Sequence, residues 1–327
     1  MNENELVARV RQLFSPRIGD DGAVVGDQVI TTDMLVEDVD FTRAIPLHYI
    51  ARKSLAVNLS DLAAMGAKPS HAVVALGLPE WARENIDGFL VAMSDAAKQW
   101  RIEIVGGDFS RAAALTIAVT AIGIVVTRPL LRSGAKPGHR IYVSRPIGGS
   151  AAGLALLQKG WSVEAGFSPP AEAGRHISYL QREFARSAIA RHIDPEPEID
   201  LGLALAATSE VSACIDISDG LSTDLHHLCE ASRCGAEIER ERIPIFPDLL
   251  DSGTSLGIRA QDAVLHGGEE YALLFTASLR ESELSARLKR PVYSIGRITG
   301  GGGVVLKESG VARVLEAGGW DHFGGSD

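Results

Sequence analysis

Apolar and polar positions change period several times along the chain, and each change marks an element. Residues 3–14, "ENELVARVRQLF", carry apolar side chains at helical spacing and predict an amphipathic helix. "IGDDGAVV" and "DQVITTDMLV" predict two short strands around a turn. From about Pro46 to Met65 the period is helical again, with Gly66 placed to end the helix as the residue beyond its cap. A strand "HAVVALGL", a helix near 84–100, a strand "IEIVGGD" and a long β-branched strand "ALTIAVTAIGIVV" (114–126) follow. "RSGAKPGHR" (132–140), rich in Gly, Pro and charge, is the best linker and divides the chain into residues 1–137 and 138–327. Beyond it come a strand "IYVS", a helix near 149–160, a polar helical stretch through 192, a short helix after "DPEPEID", and the strand that holds "CIDISDG". Gly220 opens a helix to about residue 233, "EYALLFTA" is a strand, and a last helix with three short strands leads to "GGWDHFGG". Strands and helices alternate irregularly, so the pattern predicts an α+β or mixed α/β fold.

Composition narrows the functional classes. The 327 residues are long enough for two cores, and 46% hydrophobic with 23% charged content is that of a globular protein. A net charge of −10 argues against nucleic acid and anionic membrane surfaces as partners. Residues 114–126 are too few to span a bilayer as a helix, and the N-terminal helix lacks a signal-peptide core, so the expected location is the cytoplasm. Three cysteines make no disulfide framework, and Cys229 and Cys234 find no partner pair for a zinc site.

"CIDISDG" (214–220) raises the chemical question. Alternation puts Ile215 and Ile217 on one face of a strand and Asp216 and Ser218 on the other. A carboxylate at the end of a core strand needs compensation by a helix N-terminus, an Arg or a metal ion. Acids recur in the same style in "IGDDGA" (Asp20, Asp21), "TTDMLVED" (Asp33, Glu37, Asp38), "NLSDLAAMG" (Asp61) and "VGGDFSR" (Asp108). An N-cap explains Asp219 or Ser218 taken alone, but suits Asp61 poorly, because Leu59, Leu62 and Met65 surround it. If these acids converge, they repel one another: two unit charges 4 Å apart at an effective dielectric near 20 cost about 4 kcal/mol. Asp and Thr, without Cys and His, point to hard divalent cations such as Mg²⁺, with Thr31 and Thr32 as further oxygen donors. "NLSDLAAMG" and "DISDGLSTDL" echo each other as Ser-Asp pairs beside apolar helices. No Gly-Lys dipeptide, G-x-G-x-x-G or H-R-D occurs, which excludes the common nucleotide-binding classes. Arg132 has the fork to pin a phosphate, and Trp320 either stacks on a flat ring or packs onto the domain.

"IGDDGAVV", "TTDMLVEDVDF", "KSLAVNLSDLAAMGAKP", "VGGDFSR", "RSGAKPGHRIYVS", "IDISDGLSTDLHHL", "HGGEEYALLFT" and a closing "WDHF" appear in order from about residue 14 to 323. As a set they resemble the thiamine-monophosphate kinases, within the superfamily of aminoimidazole-ribonucleotide synthetase. The resemblance implies that the γ-phosphoryl group of ATP passes directly, in line, to thiamine monophosphate with the help of several Mg²⁺ ions, giving thiamine diphosphate in the last step of its biosynthesis. It implies Asp21, Thr31, Thr32, Asp33, Asp61, Asp108, Asp216 and Asp219 as metal ligands, with no separate catalytic side chain. Gly107, Asp108, Arg132 and Ser218 would contact ATP, and Glu269 and Trp320 the thiamine end. It further implies an N-terminal α+β domain (1–137) that binds ATP and Mg²⁺ and pairs its sheet with a second subunit, and a C-terminal α/β domain (138–327).

Three departures stand out. Where the family reads "EGVHF" this chain reads "EDVDF", so Asp40 replaces a substrate-contacting His; Glu270 replaces Asp, and Ala272 replaces Glu. Asp40 is expected to face the cationic ring or water, away from the acceptor phosphate. The two strands "HAVVALGL" and 114–126 carry few charges to protect an edge and are expected to be covered by the partner of a homodimer. Aminoimidazole-ribonucleotide synthetase, selenophosphate synthetase and a maturation scaffold of the same fold are the alternatives. The second would carry a reactive Cys near the start, yet no Cys precedes Cys214; the third would end on a Cys, where this chain has "FGGSD". A nucleotide-binding regulatory module without turnover is a further alternative, disfavoured because every acidic position of the motif is present.

Overall fold

A computed structural model describes residues 3–164, 166–170 and 177–323. Two sheets organise them. The first is built from β1 (Ala23–Val25), β2 (Gln28–Val36), β3 (Ala67–Leu78), β4 (Glu103–Arg111) and β5 (Thr116–Val125), in the order β1-β2-β5-β3-β4. Only β3 and β4 run parallel, joined by a crossover through the Ile86–Trp100 helix. The second sheet contains β6 (Arg140–Val143), β7 (Val211–Asp216), β8 (Gly235–Glu239), β9 (Leu273–Ala277), β10 (Tyr293–Thr299), β11 (Val304–Glu308) and β12 (Val311–Val314). Its order is β12-β11-β8-β10-β6-β9-β7, antiparallel except for β8 and β11. The mixed fold expected from the sequence is the one observed.

The Leu47–Ala64 helix is the beam between the two sheets. It is buried along almost its whole length and packs on β2, β5 and the Ile86–Trp100 helix, while its C-terminal part meets the Ile199–Ala206 helix and β7. Gly66, at φ +62°, ends it as expected, because that turn needs the left-handed region. The two long helices cover one face of the first sheet. On β5, Ile117, Val119 and Ala121 are buried against them, and the alternate residues face outward. Strands β3 and β5 are interior, not edges; the free edges are β1 and β4. What lies open is the outer face, where Met34 and Val73 are exposed.

Other expectations resolve locally. The polar stretch before residue 192 is helical over Tyr179–Ile193, with a capping box from Ser178 and Gln181; residues 171–176 lie outside the described residues. Residues 132–139 lack regular structure, yet they pack: Ala135 is buried and Gly134, at φ +115°, sits against the Ser212 carbonyl. Cys214, Cys229 and Cys234 are all buried free thiols. Among the described residues no helix is long and apolar enough to cross a membrane.

Gly202 lets the Ile199–Ala206 helix approach the backbone of the Leu47–Ala64 helix closely. A Cβ there would stand 2.1 Å from the Ala63 carbonyl oxygen and 2.9 Å from its Cα, both backbone atoms that cannot swing away. Gly202→Ala is expected to destabilise the protein by roughly 1–3 kcal/mol through overpacking, read as a lowered denaturation midpoint.

Candidate active site

A cleft of about 660 Å³ opens between the two sheets, within the size range of small-molecule sites. Asp21, Asp33, Asp61, Asp216 and Asp219 line it, together with Thr31, Thr32, Asp40, Arg132, Ser218, Glu269 and Trp320. Asp21 comes from the loop before β1, Asp33 from β2, Asp61 from the Leu47–Ala64 helix and Asp216 from the end of β7. Carboxylate oxygens of Asp21, Asp61 and Asp216 lie within 4.8 Å of one another.

The hydrogen bonds explain how that crowd is held. Arg132 donates from Nε (2.9 Å) and from a terminal nitrogen (2.5 Å) to Asp21 Oδ1, while its backbone N–H donates to Asp20 (2.6 Å). The Thr31 hydroxyl donates to Asp61 (2.5 Å), and the Ser60 hydroxyl donates to Asp216 (2.6 Å). The two Ser-Asp echoes of the sequence therefore meet in space. Alternation along β2 sends Thr31 and Asp33 toward Asp61, and turns Thr32 to the other face, where its hydroxyl donates to the Val119 carbonyl (3.0 Å).

Burial without full compensation raises these acids. Burial pushes Asp21 up to about 7 against the pull of Arg132, and Asp216 up to about 6 against Ser60 and Arg132. Burial takes Asp33 to about 6, and carries Asp61 well above its ordinary value, with Asp33, Asp216 and Asp21 adding in the same direction. Asp21 Oδ2 is buried without any hydrogen-bond partner. An orphaned carboxylate oxygen among other oxygen donors fits a hard divalent cation.

The thiamine-side candidates line the same cleft, and two of them are tied by their backbone to Ser218 and Asp219. Glu269 has φ +58° in a turn where its N–H donates to the Ser218 carbonyl (2.7 Å). Asp40 accepts from the Val36 N–H (2.7 Å), close enough to Lys53, Glu269 and His322 to feel their charges. Trp320 donates its backbone N–H to the Asp219 carbonyl (3.0 Å) and leaves its ring 55% exposed at the rim. Glu270 points away from the cleft and accepts from the Gly148 and Ser150 N–H groups (2.8 Å each) at the start of the Gly149–Gln158 helix.

Gly107 and Asp108 are not brought to this cleft within one chain. They lie exposed on the edge strand β4. Gly107 lines a separate groove of about 790 Å³ with Leu90, Met93 and Phe109, and Asp108 alternates to the open face beside Ala75. Glu37 and Asp38 leave the acidic set as well. Glu37 is buried, pairs with Arg43 and accepts from the Leu115 N–H (2.8 Å), whereas Asp38 is exposed at φ +66°. Sequence reading missed Ser60, Lys53, His192 and Asp224, the last of which accepts from the Asp219 and Gly220 N–H groups (3.2 and 3.0 Å). Lys53, Val57 and Asp61 recur every fourth residue, which puts them on one helix face and was the available signal for Lys53.

Comparison with known proteins adds identity to this geometry. Residues 19–125 match the model of the AIR synthase related protein, N-terminal domain, and residues 136–308 that of its C-terminal domain. Thiamine-monophosphate kinase of Haemophilus influenzae is 35% identical over 320 residues, 94% of this chain and 91% of the relative. That of Escherichia coli K12 is 37% identical over the same shares. The chain belongs to the thiamine-monophosphate kinase family. A solved structure described as AaThiL complexed with AMPPCP and TMP superposes with a TM-score of 0.83 at 30% identity, covering 98% of this chain and 97% of that one.

The raised acids give a signed prediction. Their ordinary value is near 3.8, so in the metal-free protein their contribution to stability is fully present below about pH 4 and is lost as the pH rises through about 6 to 7. Metal-free protein should melt higher at pH 5 than at pH 8, and millimolar Mg²⁺ should narrow the gap by stabilising the pH 8 sample. Thermal scans at the two pH values, with and without Mg²⁺, measure it; no Mg²⁺ effect at pH 8 would remove the metal assignment.

Proposed function

We propose that this chain transfers the γ-phosphoryl group of ATP to thiamine monophosphate, forming thiamine diphosphate and ADP. The observation that carries the reading is the buried Asp21–Asp61–Asp216 cluster faced by Arg132, in a chain similar over its length to thiamine-monophosphate kinases. Both substrates are phosphate anions, so transfer requires their repulsion to be neutralised and the groups aligned. Asp21, Thr31, Asp33, Asp61, Asp216 and Asp219 would hold Mg²⁺, with Asp108 supplied as described below; the Thr32 hydroxyl, turned to the other face of the sheet, leaves that set. When bound, the ions supply charge neutralisation and a template for in-line displacement.

The chain's own groups do the remaining work. Arg132 presents a guanidinium whose orientation Asp21 fixes. Ser218 stands just before the Leu221–Ser232 helix, where Asp224 already holds the Asp219 and Gly220 N–H groups, so its contact with ATP would come from its own hydroxyl. An acceptor phosphate with a second pKa near 6 is largely ionised at neutral pH and needs little help from a general base. Glu269 and Asp40 attract the cationic thiazolium, and Trp320 offers a ring face worth about 0.5–2 kcal/mol of cation–π attraction.

The position of Gly107 and Asp108 is accounted for by a homodimer. In this reading residues 1–137 form the nucleotide-binding and dimerisation unit and residues 138–327 the second domain. A second copy docks on the open face of the first sheet and the free edge of β4, removing Met34 and Val73 from water. The groove beside Gly107 takes the base of ATP, and Asp108 of one copy completes the cleft of the other.

The expected result of incubating the protein with ATP, thiamine monophosphate and Mg²⁺ is thiamine diphosphate and ADP in equal amounts; ATP consumption without thiamine diphosphate would sink the reading. Asp61→Asn and Asp108→Asn should each be inactive alone. Mixed and allowed to exchange subunits, they should recover up to about a quarter of the wild-type rate, since half the dimers carry one intact site. A 34.7 kDa monomer in sedimentation, or no recovery on mixing, would count against the shared site.

A further inference from the structure

Behind Glu269 lies a buried cation that none of the steps above employs. Lys53, on the Leu47–Ala64 helix, is 2% exposed, and its Nζ stands 2.6 Å from Glu269 Oε1. Glu269 lines the cleft and Lys53 does not. The other carboxylate oxygen, Oε2, lies 3.1 Å from His192 Nδ1, which is also 3.1 Å from the Ser150 hydroxyl. Burial, with Lys53 beside it, pushes His192 down to about 4, so its ring is neutral at neutral pH. Among the described residues Lys53 is therefore the permanent cation in contact with Glu269.

We propose that Lys53 is a positioning residue: it keeps Glu269 ionised and fixes its carboxylate toward the cationic ring of the acceptor. The inference rests on the reading given above. A buried carboxylate stripped of its counter-ion takes up a proton or swings away, because an unpaired charge is strongly disfavoured out of water. Burial alone would raise Glu269, yet Lys53 and His192 together hold it below its ordinary value. The backbone leaves little freedom to compensate. Glu269 sits at positive φ, its N–H is committed to Ser218, and a Cβ on the preceding Gly268 would meet the Ser218 carbonyl oxygen at 2.6 Å. Lys53 thus acts on the acceptor only through Glu269. It shares the helix with Asp61 two turns away, so one rigid element would set both the metal end and the ring end of the cleft.

A double-mutant cycle tests this. Lys53→Met, Glu269→Gln and the double variant are compared by calorimetric affinity for thiamine monophosphate and by KM for each substrate. Each single change should weaken thiamine monophosphate roughly tenfold, with the KM for ATP changing by less than about twofold. The double variant should be no weaker than Glu269→Gln alone, because Lys53 has nothing left to orient. Additive losses, or equal losses for both substrates, would overturn the proposal. Should Lys53→Met fail to fold, adding it to Glu269→Gln still decides the matter: any further loss of thiamine monophosphate affinity there refutes it. If the wild-type protein forms no thiamine diphosphate, the functional reading fails first; if it turns over and the cycle is additive, only the role of Lys53 fails.

Discussion

Carboxylates of Asp21, Asp61 and Asp216 share a space less than 5 Å across and largely closed to water. They reach it from a loop, a helix and a strand end that are distant in sequence. At such range each added charge raises the others, and the fold meets this with one arginine, two hydroxyl donors and partial protonation. That constraint explains several features at once. Arg132 had to be delivered into the cleft by residues 132–139, so a segment that looks like a linker is packed in place. Ser60 and Thr31 had to stand beside acids that come from other elements. Stability is given up locally to keep these anions together.

The Leu47–Ala64 helix makes this arrangement mechanically possible. It is held on both sides, by the first sheet and by the Ile199–Ala206 helix, so its polar residues cannot relax away from one another. A helix this deeply buried would ordinarily be apolar all round. Instead it carries Lys53, Asn58, Ser60 and Asp61 inward, and each has a partner: Glu269, the Asp33 N–H, Asp216 and Thr31.

The sequence carried most of the elements, because period and punctuation are local properties. Gly66, Gly220 and the strand before Asp216 fell where the pattern placed them. The acidic motifs were visible too, but not their sorting. Glu37 and Asp38 stand in the same run as Asp33, yet one anchors Leu115 and the other faces water, a difference set by the turn after β2. Asp108 shares its motif style with Asp216, but β4 is an edge strand and β7 ends inside the cleft. Strand order is a long-range outcome, and no single stretch encodes it. The low charge of β3 and β5, which suits an edge covered by a partner, belongs instead to strands in the interior of the sheet. Lys53 was hidden differently: a helical lysine between Arg52 and Ser54 reads as a snorkelling side chain until its carboxylate partner, more than 200 residues away, is placed beside it.

Two helices begin near the cleft, and a helix start exposes backbone N–H groups that suit an anion. One of them, Gly149–Gln158, is already taken, since Glu270 accepts from Gly148 and Ser150 and its second oxygen lies 3.6 Å from Arg191. The protein thus carries its own tethered anion on that helix, at an effective concentration no dissolved phosphate can match. The Leu221–Ser232 helix is occupied in the same way, since Asp224 accepts from the Asp219 and Gly220 N–H groups (3.2 and 3.0 Å). Both helix starts are thus closed to a phosphate by the chain's own carboxylates, which leaves Arg132 as the guanidinium that an anion in the cleft would meet.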